Sequence, residues 1–267
     1  MSQFISQNPQ LNDPNTLLNY KVEGQGTPLV LIHGLFGSLD NLGILARTLK
    51  DTFQVISVDL RNHGQSFHSD SHSYTNMAQD VIQVLEHLNI ETAIFVGHSM
   101  GGKVAMKVAS IEPKKASKLV VLDMAPVDYQ VRRHDDVFHA IQQTESAAPQ
   151  SRAAAMAILD SHLKVPGVAQ FLGKSLYKAE SHMQFRFNTP SLISNYADII
   201  GWDEGDANNV ATLFVKGGDS DYLMANHQSA IQRQFPNSKA HIIANTGHWL
   251  HAEKPQEVLR VINKFLG

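Results

Sequence analysis

FVGHSMGG, residues 95–102, sets Gly97-His98-Ser99-Met100-Gly101 between an apolar run that reads as a strand and a stretch with helical periodicity. Two glycines around a serine permit a turn so tight that the serine is held in a strained backbone conformation. Its hydroxyl then stands exposed at the C-terminal edge of a sheet. The helix that begins there points its backbone N–H groups and the positive end of its dipole at the same spot. This is how a nucleophile is presented. Two other readings compete. Ser99 could be an N-cap on a small-residue turn that packs a helix against a strand. Gly97 to Lys103 also fits the Gly-four-residues-Gly-Lys pattern of a phosphate loop, which likewise joins strand to helix. That pattern fails one position later, where Val104 stands in place of the Ser or Thr that would hold magnesium.

Working outward, PLVLIHG (28–34), FQVISVD (53–59), AIFVGHS (93–99) and KLVVLD (118–123) are short, rich in β-branched residues and bounded by turn residues. They are predicted strands. Between them DNLGILARTLKD (40–51), NMAQDVIQVLEHL (76–88) and GGKVAMKVASIE (101–112) carry helical periodicity. The alternation predicts a parallel sheet with helices on both faces. It breaks over 127–208, where VFHAIQQT, AAAMAILDSHL and VAQFLGKSLY read as helices and no convincing strand occurs. It resumes with ATLFVKGG (211–218), a helix near 223–234, KAHIIANTGH (239–248) and a C-terminal helix from Pro255. The simplest division is a core domain of 1–126 and 209–267, interrupted by a helical cap of 127–208.

Composition narrows the function. The 267 residues are 43% hydrophobic and 18% charged with a formal net charge of -3, which gives no electrostatic reason for nucleic acid or an anionic membrane as partner. With no cysteine there is no thiolate nucleophile, disulfide framework or Cys-ligated zinc. The first residues, MSQFISQNPQLNDPN, lack the apolar centre of a signal peptide, and no apolar run approaches the ~20 residues of a membrane span. A soluble cytoplasmic protein, monomeric or a small homo-oligomer, is expected. Fourteen histidines invite a metal site, but no pair has the HExxH arrangement, so neither metal nor cofactor is expected. His33 and His98 are expected to hold backbone near Ser99, and His63, His68 and His72 to be exposed loop residues.

Further segments converge on Ser99. His33-Gly34-Leu35-Phe36-Gly37-Ser38 follows the first strong strand, where a loop can offer a backbone N–H to an oxyanion. The expected donors are the N–H groups of Leu35 and Met100. Asp59 to Ser66 closes the next strand as a polar turn. Gly247-His248-Trp249-Leu250-His251-Ala252-Glu253-Lys254-Pro255 follows the last strand, which brings His248 to the edge that carries Ser99. A neutral imidazole there can take the serine proton and return it to a leaving group. A carboxylate to orient it could come from Asp123, which ends KLVVLD, or from Asp219 or Asp221, which follow TLFVKGG. All three lie between Ser99 and His248, so chain order does not choose.

These segments, in this order and spacing over about residues 20–267, resemble the α/β-hydrolase superfamily. HGLFGSLDNLG, DLRNHGQS, VGHSMGGK, LDMAPVDYQVRRHD and GHWLHAEKP resemble in particular the small bacterial YbfF-type esterases. The resemblance implies an eight-stranded, mostly parallel sheet with helices on both faces and a helical cap after the sixth strand. It implies esterase activity through a Ser-His-Asp triad and an acyl-enzyme. A serine at the elbow disfavours dehalogenase and epoxide hydrolase chemistry, which use Asp there. For the acid, many superfamily members use the later loop, in a Gly-x-x-Asp pattern before a small apolar pair. With Tyr222-Leu223 as that pair, Ser220 occupies the acid's place and Asp219 and Asp221 flank it. The YbfF-type resemblance puts the acid within LDMAPVDY, at Asp123.

The cap offers apolar positions at helical spacing, among them Val137, Phe138, Ile141, Leu163, Phe171 and Leu172. Most serve its own core, and some face a cleft that takes an apolar substrate. Small-to-medium acyl esters or thioesters are the expected substrates. A coenzyme A thioester would want phosphate anchors, yet 127–208 holds seven Lys and Arg against ten Asp and Glu. Arg132-Arg133-His134 reads rather as a solvated run answered by Asp135 and Asp136. An acyl-CoA thioesterase, or a retired hydrolase that only binds, are the alternatives; the second usually lacks a triad member, whereas here each has a candidate.

Overall fold

The structure, a computed structural model, describes residues 17–165 and 167–267; the polar N-terminal stretch weighed above lies outside them. Its strands are β1 (Tyr20–Glu23), β2 (Thr27–Ile32), β3 (Phe53–Val58), β4 (Ala93–His98), β5 (Ala116–Leu122), β6 (Leu176–Lys178), β7 (Met183–Phe185), β8 (Ala211–Gly217) and β9 (Ser238–Ile243). Seven of them form one sheet in the order β1-β3-β2-β4-β5-β8-β9. Every pairing is parallel except that of β1 with β3. Among the described residues the sheet thus has seven strands, where the resemblance implied eight. β1 escapes the sequence reading because its YKVE is half-exposed and antiparallel at the sheet edge, so it carries no buried apolar run.

Alternation inside the apolar runs separates two cores. Val30, Ile32, Ile56, Val58, Phe95 and Val121 face one way, against α2 (Tyr74–His87) and α3 (Met100–Ile111). Leu29, Leu31, Val55, Ile94, Val96 and Val120 face the other, against α1 (Gly43–Leu49) and α11 (Pro255–Leu266). Complete burial of one such side chain contributes roughly 1.5–3 kcal/mol, so a register slip of one residue in any central strand would lose several of these contributions at once. α3 is buried from Met100 to Ala109, with the sheet on one side. Two glycines let it come this close: a Cβ on Gly97 would overlap the Gly101 carbonyl, and one on Gly101 would overlap the Ile32 and His33 carbonyls.

Between β5 and β8 the chain forms α4 (Asp135–Ala147), α5 (Arg152–His162), α6 (Val168–Gly173), the β6–β7 hairpin, α7 (Thr189–Ser194) and α8 (Tyr196–Ile200). The hairpin corrects the helical reading of VAQFLGKSLY. The helix ends at Gly173, and Leu176–Lys178 pairs with Met183–Phe185. Leu176, Met183 and Phe185 turn inward while Tyr177 and Gln184 do not, but three residues are too few to announce a period of two. The later helices are α9 (Gln228–Gln234), shorter than the expected 223–234, and α10 (Leu250–Glu253), followed by α11. No described helix is long and apolar enough to cross a membrane.

Candidate active site

β4, β5 and β8 are neighbours, so their C-terminal ends deliver three consecutive turns to one edge. Ser99 caps α3 with φ 53° and ψ -122°, a conformation non-glycine residues rarely hold. Its N–H donates to the Leu122 carbonyl at 3.0 Å, and its own carbonyl accepts from Gly102 at 2.8 Å. The elbow is therefore hydrogen-bonded to the end of β5 and to the first turn of α3. Asp123 follows β5 with φ 52° and is completely buried. Its N–H donates to the Val215 carbonyl at 2.8 Å, and its Oδ1 accepts the Gly217 N–H at 2.9 Å.

His248 bridges these two turns. Its Nδ1 lies 2.7 Å from Asp123 Oδ2 and its Nε2 lies 2.9 Å from Ser99 Oγ. Beside a carboxylate, Nδ1 carries the hydrogen, which leaves the Nε2 lone pair to accept from the hydroxyl. The ring stacks on Tyr222 with centroids 3.8 Å apart, and the His248 carbonyl accepts from His98 Nε2 at 2.9 Å. Asp219 and Asp221 are exposed and do not reach this imidazole. Asp221 instead pairs with Arg133 at 2.5 Å. Ser220 lies between them and donates its hydroxyl to Asp123 Oδ2, the same oxygen that faces His248. Neither the Ser220 bond nor the Tyr222 stack was visible beforehand; the hint was that Ser220 occupies the place of an acid.

Among the described residues the N–H groups of Leu35 and Met100 have no intramolecular acceptor, whereas Phe36 donates to His63 Nε2 at 3.1 Å and Gly37 to the Gly34 carbonyl at 3.0 Å. The loop that carries Leu35 is fixed from below. Asp59 Oδ1 accepts from Leu39 N–H at 2.7 Å, and His33 Nε2 from Leu60 N–H at 3.0 Å.

His63 and His72 are fully buried, which corrects their reading as exposed loop residues; His68 is exposed. Asn62, which precedes His63 and contacts His72 Nδ1 at 3.3 Å, is tied to residues more than a hundred positions later: it accepts from Asn188 N–H at 2.9 Å and donates to Ser191 Oγ at 3.2 Å. The Arg132-Arg133-His134 run also departs from expectation. Arg132 does pair with Asp135 at 2.9 Å, but Arg133 turns away to Asp221 and lies over the Tyr222 ring. Burial holds the imidazoles around the site neutral. It depresses His251 to about 3 and His134 to about 4, and pushes His98 well below its ordinary value. Among the described residues no group of three or more His, Asp or Glu side chains is arranged to hold a metal ion.

The family described as the alpha/beta hydrolase fold matches residues 27–255. The chain belongs to this α/β-hydrolase family. It is 46% identical to Esterase YbfF of Escherichia coli (strain K12), over 90% of this chain and 93% of that protein. It is 35% identical to the sn-1-specific diacylglycerol lipase ABHD11 of Mus musculus, over 89% of this chain and 80% of that one. Among solved structures it is similar to a marine microorganism esterase, with a TM-score of 0.89 and 33% identity, covering 94% of this chain and 99% of that one.

In this α/β-hydrolase a cavity of about 270 Å³ opens beside Ser99 and His248. Val137, Leu163, Val168, Phe171 and Leu172 line it from the segment between β5 and β8, and Phe171 meets Trp249 across it with ring centroids 5.7 Å apart. A second cavity of about 30 Å³ also touches Ser99 and runs beneath Tyr129, Tyr196 and Ile199.

Proposed function

We propose that this α/β-hydrolase cleaves carboxylic esters through an acyl-enzyme formed on Ser99. It is a carboxylic ester hydrolase, and its substrate is a small-molecule acyl ester. Ser99 Oγ attacks the carbonyl carbon while its proton passes to His248 Nε2. Asp123 holds the ring in the required tautomer and stabilises the imidazolium. The oxyanion takes the N–H groups of Leu35 and Met100. Collapse breaks the carbonyl–alkoxide bond, and the leaving oxygen takes the proton from His248. Water, deprotonated by the same imidazole, then releases the acid and restores Ser99. Residues 127–208 serve as a cap that shields the acyl-enzyme from bulk water.

The observation that supports this best is the unbroken chain of contacts, 2.9 Å from Ser99 Oγ to His248 and 2.7 Å from His248 to Asp123. A thioester of coenzyme A is less well served, since Arg133 is already engaged by Asp221. The test is p-nitrophenyl butyrate turnover together with fluorophosphonate labelling. Ser99→Ala is expected to lose on the order of 10⁶ in kcat and all labelling, with an unchanged circular dichroism spectrum. Labelling that persists in the variant would refute the assignment.

A further inference from the structure

The two cavities at Ser99 are unequal, and they differ in which reacting groups line them. His248, Trp249 and His251 line only the large one, of about 270 Å³, while Met100, Met124, Tyr196 and Ile199 line only the small one, of about 30 Å³. Ser99, Leu35, Arg133, His134 and Tyr222 line both. Three groups radiate from the tetrahedral carbon on Ser99 Oγ. The oxyanion is drawn to the Leu35 and Met100 N–H groups. The leaving oxygen must come within hydrogen-bond reach of His248 Nε2, because that nitrogen returns the proton. His248 opens on the large cavity alone, so the alcohol is directed there. The acyl substituent is left with the small cavity.

Resting on the roles proposed for Ser99 and His248, we infer that the preferred substrates are esters of a short acid with a larger, apolar alcohol. In the measure by which one water needs about 10–15 Å³, the acyl cavity takes on the order of two or three atoms beyond the carbonyl. Acetyl to butyryl groups fit, and longer chains displace Tyr129, Tyr196 or Ile199, which are buried. The alcohol cavity is walled by Val137, Leu163, Val168 and Phe171 and suits a hydrocarbon of six or more carbons.

Hexyl acetate and ethyl hexanoate test this directly. They are isomers with the same atoms and closely similar hydrophobicity, and differ only in which side of the ester is long. The wild-type enzyme is expected to favour hexyl acetate by about 10² in kcat/KM, since each misfitted methylene costs tenfold or more. Parity, or a preference for ethyl hexanoate, would overturn the inference while leaving the nucleophile assignment intact. Ser99→Ala that still cleaved hexyl acetate would overturn the nucleophile instead, and the inference with it. As a second reading, Ile199→Ala enlarges the acyl cavity and is expected to shift the ratio at least tenfold towards ethyl hexanoate; an unchanged ratio counts against the assignment of that cavity.

Discussion

The turns after β5 and β8 are adjacent on one sheet edge, and both carry aspartate, yet they end in opposite states. Asp123 is fully buried, takes the left-handed backbone conformation at φ 52° and meets His248. Asp219 and Asp221 are exposed on the turn that follows β8, and Asp221 is held by Arg133. Reaching the right edge is therefore not sufficient. What separates the two turns is the backbone sense at the strand end, which aims the Asp123 carboxylate inward, and the shelter of the later turn itself. That later turn still takes part, because Gly217 N–H and the Ser220 hydroxyl both donate to Asp123. One turn supplies the charge, and the end of β8 with the turn after it supplies two of its hydrogen bonds.

The sharpest way to break this contrast is to neutralise each carboxylate in turn. Asp123→Asn is expected to lower kcat by up to ~10⁴, because the wrong His248 tautomer is then favoured. Asp219→Asn and Asp221→Asn are expected to stay within about threefold of wild type, in line with exposed charges. Steady-state kinetics on p-nitrophenyl butyrate decide it, and a dead Asp219 or Asp221 variant with an active Asp123→Asn would reverse the assignment. A second experiment moves the charge across the gap. In Asp123→Asn, adding Ser220→Asp puts a carboxylate on the later turn, and about 10²-fold of the lost kcat is expected to return as His248 regains an acceptor at Nδ1. No recovery would mean that the later turn cannot aim a carboxylate at all.

The buried edge also leaves a signature in acid. His251 and His134 titrate near 3 and 4 in the folded protein against about 6.5 when unfolded. Between those values the unfolded chain binds more protons, so stability falls as pH drops from about 6.5 towards 4. At pH 5 each of these histidines is expected to cost about 2 kcal/mol relative to pH 7. Urea unfolding of His251→Asn at both pH values should show a correspondingly smaller loss than wild type. The mildest test concerns the shared hydrogen bond. Ser220→Ala removes a donor to a buried carboxylate, worth about 1.5–3 kcal/mol, and is expected to lower kcat about tenfold with little change in KM. An unchanged kcat would reduce Ser220 to a structural contact.

Much of this arrangement was legible in the chain. The elbow, the alternation of strands and helices, the break in that alternation over 127–208 and the candidates Ser99 and His248 all follow from local features: glycine spacing, runs of β-branched residues and the order of segments. Local rules carry that far because a turn or a buried strand is specified by neighbours in sequence. They gave three carboxylates for one imidazole, and only the resemblance favoured Asp123. They also ran a helix into the first strand of the hairpin, at Leu176 and Tyr177, and put His63 and His72 in solvent.

Each of these was decided by contacts between distant residues. Asp123 meets a histidine 125 positions later, and its inward aim depends on the neighbouring β8 turn. His63 and His72 are buried beside Asn62, which is hydrogen-bonded to Asn188 and Ser191 more than a hundred positions later. Burial, and with it the neutrality of these imidazoles, belongs to the assembled fold. The sequence by itself determined which chemical groups reach the edge of the sheet; only the tertiary structure decided which of them are shielded from water and turned towards one another.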